Sequence, residues 1–132
     1  MKTSKYLTTI CLILGTMLPL IVDTGSTHLL NPDWDAHSRV HEVWRLSTNI
    51  FIAVIGLYLL WVSNYLLLPA LLSSCIVLGF FSSIFTMSLY GGVPIGEGIE
   101  EPNPFGIPAN IFVFIIIGII QSVSFIFLFK NR

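Results

Sequence analysis

Four long apolar runs, at residues 6–22, 46–62, 66–90 and 109–129, leave this chain few ways to fold. A helix crossing the hydrocarbon core of a bilayer needs roughly 20 apolar residues, because its backbone N–H and C=O groups meet no water there and must bond within their own segment. The runs are continuous rather than alternating, which excludes a transmembrane β-barrel. With 55% hydrophobic and 10% charged residues, the chain has too little polar surface for a soluble domain, where about a quarter of residues are charged. The expected architecture is an all-α membrane protein. A single domain over residues 1–132 forms a four-helix transmembrane bundle with outer loops at 23–45 and 91–108. Six basic residues against seven acidic ones give no sign of a nucleic-acid partner, and membrane lipids are the surroundings this composition calls for.

Orientation follows from the cations. Lys2 and Lys5 precede the first run, Lys130 and Arg132 follow the fourth, and residues 63–65 alone connect the second to the third. Four crossings put both termini on one side, and the basic residues make that side cytoplasmic. Both acidic loops then face outward, to a periplasmic, extracellular or lumenal space. Arg39 and Arg45 oppose this, but their loop also holds four acids. The basic start imitates a secretory signal, yet no small-x-small cleavage site follows it cleanly, so a retained first helix is expected. Cys11 and Cys75 should lie at different depths, and packing rather than a disulfide is the expectation for both.

Every acidic residue and every histidine falls in the two outer loops: Asp23, His28, Asp33, Asp35, His37, His41 and Glu42 in one, Glu97, Glu100 and Glu101 in the other. In the first loop, Asn31 and Pro32 have the form of an N-cap followed by proline at the first helical position. No Gly or Pro recurs before Gly56, so the second helix is expected to run over 32–62, projecting several turns above the membrane. Trp34, Trp44 and Arg45 suit the headgroup region. The second loop is too rich in Gly and Pro for a helix or an inner strand. Its Val93, Ile95, Ile99, Phe105 and Ile107 suggest an ordered cap packed over the bundle. Within the runs, Cys75, Gly79 and Ser83, and likewise Gly118 and Ser122, recur at spacings of four. Such small residues let helices approach closely, within a subunit or between subunits, and Asn49, Asn110 and Gln121 are expected to join helices by hydrogen bonds.

His37 and His41 share a helix face. With His28 from the loop and the carboxylate of Asp23 they make a candidate site for a divalent metal, zinc or iron. The three glutamates of the second loop are candidate acid/base catalysts. Asn31, Trp34, Arg39 and Arg45 would support the site. The pair lacks the intervening glutamate of zincin proteases, which argues against that activity. The stripe Asp33, His37, His41, Arg45 reads equally well as an ion-pair ladder without metal. Asp23, where the first run leaves the membrane, should be paired with Arg39, Arg45 or a histidine.

The pattern Asp23-x-x-x-Thr27-His28-x-x-Asn31-Pro32-x-Trp34-x-x-His37-x-Arg39-x-His41 resembles the leading motif of a family of small four-span membrane proteins with no established activity. The resemblance implies the topology and marks the Asp/His/Asn/Trp cluster as the shared feature. It supplies no reaction, substrate or cofactor. Two functional readings stay open. One is a metal-dependent membrane enzyme acting at headgroup level on an amphiphilic substrate such as a lipid, quinone or isoprenoid. The other is a non-enzymatic accessory or ligand-binding subunit, in which the outer cluster is structural or docks a partner membrane subunit or a second copy. Transport is weaker, since no run carries an internal charge.

Overall fold

The computed structural model describes residues 2–95 and 102–130. Four helices form the bundle: α1 Lys2–Asp23, α2 Ala36–Trp61, α3 Leu67–Thr86 and α4 Ala109–Lys130. A single 3-10 turn, Met87–Leu89, extends α3, and another, Pro104–Gly106, precedes α4. All four are long and apolar enough to cross a membrane. α1 packs against each of the other three, and α2–α3 and α3–α4 close the ring.

The bundle is apolar on its outer surface as well as in its core, where Cys11, Leu12, Leu60, Ala70 and Ile117 are buried. Large apolar side chains such as Phe51, Val54, Ile119 and Ile126 point outward, while Ser4, Thr8, Thr16, Ser73, Gln121 and Ser124 are buried. In lipid there is no hydrophobic drive between helices, so close approach and interhelical hydrogen bonds hold them together. Ser124 on α4 sits 2.8 Å from the Thr8 hydroxyl and 3.0 Å from that of Ser4 on α1. Gln121 donates to the Ala70 carbonyl of α3 at 3.2 Å, as expected of an amide within a span. Close approach occurs where sequence spacing did not point: a Cβ at Gly56 of α2 would lie 2.9 Å from Leu12 of α1, and one at Gly15 of α1 would lie 3.3 Å from Ile76 of α3.

These contacts place Ser4 beside Ser124, so both ends of the chain lie at one end of the bundle, with the α2–α3 turn beside them. There Lys5 donates to Asn64 at 3.1 Å and stands 4.3 Å over the Trp61 ring, whose N–H reaches Thr9 at 2.9 Å. Asn64 supplies the left-handed residue, φ 57°, that reverses the chain. Residues 24–35, 87–95 and 102–108 lie at the opposite end.

Several expectations are corrected. α1 begins at Lys2, ahead of the apolar run that starts at residue 6, its basic first turns lying at the end of the bundle. α2 begins at Ala36, four residues after Pro32. Asp35, not Asn31, is its N-cap and accepts from the Ser38 amide at 2.9 Å, while Asn31 Oδ1 accepts from the Asp33 amide at 3.0 Å in a tight turn. Asparagine before proline serves either role, and the Asp35–Ser38 cap decides which. The stripe of Cys75, Gly79 and Ser83 faces outward, with open space around Gly79, so it joins no helices within this subunit, and Cys75 is exposed rather than packed. Cys11 is buried, its thiol 3.6 Å from the Ile117 carbonyl. In the second loop Val93 and Phe105 are exposed instead of packed; Phe105 adopts φ 56° and is 91% exposed. Ile99 lies outside the described residues.

Candidate functional site

The polar end is built on a run of turns that leaves few backbone donors unused. After Asp23, the amides of Gly25, His28, Leu29, Leu30, Asn31 and Trp34 all bond to carbonyls of this segment or of Val22 and Asp23, at 3.0–3.2 Å. Thr24 returns its hydroxyl to the Leu20 carbonyl at 2.7 Å, securing the end of α1. A segment with its backbone bonds satisfied this way is a fixed object rather than a tether.

Two arginines from α2 brace it, Arg39 by bonding the segment itself and Arg45 by bonding Asp23, from which it departs. Arg39 donates one Nη to the carbonyls of Asn31, Pro32 and Trp34 at 2.8, 3.1 and 3.2 Å, closing the turn that precedes its own helix. Arg45 reaches across to Asp23 at the end of α1 and also to Glu42, one turn back on α2, whose Oε2 accepts from Nε at 3.1 Å. One cation between two carboxylates ties α1 to α2. The sequence named Arg45 among three possible partners for Asp23 and passed over Glu42, although the spacing of three from Arg45 was a signal for it. The charge-assisted bonds of this cluster are stronger than neutral ones and are geometrically specific in the arginine fork.

The histidines divide into two places. His28 packs edge-on against Trp34, ring centroids 5.7 Å apart; its Nδ1 lies 3.0 Å from the Thr27 hydroxyl and 4.0 Å from Asp23. His37 and His41 meet each other on the exposed face of α2, Nε2 to Nε2 at 3.0 Å, with His41 stacked on Trp44. The expected convergence of His28, His37 and His41 beside Asp23 does not form. The reason is helical geometry: each step of four residues rotates about 40° around the axis, so from Arg45 back to His37 the stripe turns about 80° away from α1. Asp33 drops out of the stripe because it precedes the helix. Among the described residues, no group of three or more His, Cys, Asp or Glu is arranged to hold a metal ion.

The candidate catalytic residues Glu97, Glu100 and Glu101 lie outside the described residues. The flanking parts of their loop are stapled by Asn110, which donates to the Pro94 carbonyl at 2.8 Å, while the Ala109 amide bonds to the Pro102 carbonyl at 3.1 Å. Asn110 therefore fastens a loop and does not join helices as expected. Away from this end, a groove of about 480 Å³ between the middles of α3 and α4 is walled largely by apolar side chains, among them Val77, Phe81 and Ile119.

No family model matches the chain, and neither a curated protein nor a solved structure matches it significantly.

Proposed function

We propose that this is a non-enzymatic membrane accessory or ligand-binding subunit. Both termini would be cytoplasmic, and segment 24–35 would stand at the outer membrane interface as a rigid platform for a partner membrane protein. The observation that carries the reading is how the charged groups there are engaged. Arg45 joins Asp23 to Glu42, Arg39 holds three carbonyls, and Asp35 caps α2. Groups committed to one another fix a shape, whereas a general acid or base must be free to reach a reacting proton. The orientation rests on Lys2, Lys5, Lys130 and Arg132. Leu30, Val40 and Val43 give the platform exposed apolar contacts beside its polar turns, the mixture that protein interfaces use. A metal-dependent enzyme acting on an amphiphilic substrate would need a third ligand beside His37 and His41, and no described residue is so placed.

Photo-crosslinking in native membranes tests this. A benzophenone amino acid at Val40 should give one discrete protein adduct, while the same group at Val54, outward-facing within the span, should give none. The mass of the adduct distinguishes a second copy from a different subunit. Arg45→Ala, which loosens the platform, should abolish it. Adducts to lipid alone at Val40, or an adduct indifferent to Arg45→Ala, would contradict the reading.

A further inference from the structure

We propose that His37 and His41 form a solvent-open, two-nitrogen chelate for a divalent late transition metal, copper(II) foremost. This is a site separate from the Asp23–Arg45–Glu42 cluster and independent of the docking reading.

The geometry points to this class of ion. The two Nε2 atoms lie 3.0 Å apart on consecutive turns of an uninterrupted helix. With metal–nitrogen bonds of about 2.0–2.1 Å, nitrogens at that separation subtend an angle of about 95° at the ion. A tetrahedral ion with the same bonds needs its ligands about 3.3–3.4 Å apart. The 3.0 Å contact is the length of a hydrogen bond between perpendicular rings, so the side chains reach one another within the span of a single ion, and small rotations of the two rings would set the final angle. Imidazole pairs suit the late first-row divalent ions, and copper heads their affinity order.

The surroundings agree with an open chelate. Both histidines are exposed, so water can fill the remaining positions. His41 lies against Trp44 with ring centroids 6.1 Å apart and planes 27° from parallel, which restrains the imidazole that would otherwise lose most freedom on ligation. Without metal, the 3.0 Å contact requires one Nε2 to carry a hydrogen and the other to offer its lone pair. For both to ligate, the donor ring moves its proton to Nδ1 and turns, so that its freed lone pair points with its partner's at a common ion instead of at the partner nitrogen. The tautomer change happens within a neutral imidazole with no net loss of a proton, and the ion competes with protons for both nitrogens.

The test uses the full chain purified in detergent and titrated at neutral pH with Cu(II) alone, read by electron paramagnetic resonance. The expected result is one copper per chain with hyperfine splitting from two imidazole nitrogens. His37→Ala and His41→Ala should each lose the two-nitrogen signal, and His28→Ala should keep it. Since His37 and His41 are exposed, melting curves of the variants without metal should match the parent, which separates lost ligation from lost folding. The proposal is overturned if the parent shows fewer than two nitrogens, if either of the first two variants retains the signal, or if His28→Ala removes it.

Discussion

Arg45→Ala should be the most damaging single charge removal in this protein, lowering its stability in detergent by about 2 kcal/mol. The figure lies between exposed ion pairs, worth about 0–1 kcal/mol, and buried ones, whose disruption costs about 3–5 kcal/mol. The intermediate position follows from exposure: the Arg45 side chain is 43% exposed, but those of Asp23 and Glu42 are only 20% and 13%. Alanine would leave two sheltered carboxylates close together without a cation, so the loss comes from their repulsion and desolvation as much as from missing bonds. Thermal unfolding of Arg45→Ala, Asp23→Asn and the double variant separates these effects. Neutralising Asp23 in the Arg45→Ala background should recover part of the stability. Additive losses would mean that Arg45 and Asp23 are not coupled.

The second large effect lies in the apolar interior. Gly56→Leu should cost about 3 kcal/mol, because even a Cβ at this position would stand 2.9 and 3.1 Å from the methyl carbons of Leu12, which is wholly buried. Leu12→Ala alone should cost about 2–5 kcal/mol through the cavity it leaves. Combining them moves volume from α1 to α2, and the double variant should be more stable than the sum of the two losses implies. Strict additivity in thermal unfolding would show that α1 and α2 do not meet there.

How far the sequence could be read depended on whether a residue's surroundings were fixed by its own segment. The four spans were legible because long, largely apolar runs of 17 to 25 residues have one stable arrangement in a bilayer, and a helix covers each of them. The pairing of His37 with His41 was legible for the same reason, since a spacing of four on a helix determines it. The start of α2 was not. Asn31 and Pro32 suit both a helix cap and a tight turn, and the choice falls to Asp35 capping through Ser38 and to Arg39 engaging the carbonyls of 31, 32 and 34. Small residues signalled close helix approach without saying on which face: Cys75, Gly79 and Ser83 look outward, and Gly15 and Gly56 make the close contacts. Asp23 could be given candidate partners but not a choice among them, because that depends on how α1 and α2 rotate against each other.

The central claim is that residues 24–35 form a fixed platform held directly by Arg39 and, through Asp23, by Arg45, and amide hydrogen exchange of the detergent-solubilised protein measures it most directly. The amides of Leu29, Leu30, Asn31 and Trp34, each bonded to a backbone carbonyl, should exchange far more slowly than an unstructured chain. Arg39→Ala should release protection around 31–34, and Arg45→Ala should release it around 24–30. Exchange of this segment at the rate of an unstructured chain in the parent protein would contradict the account.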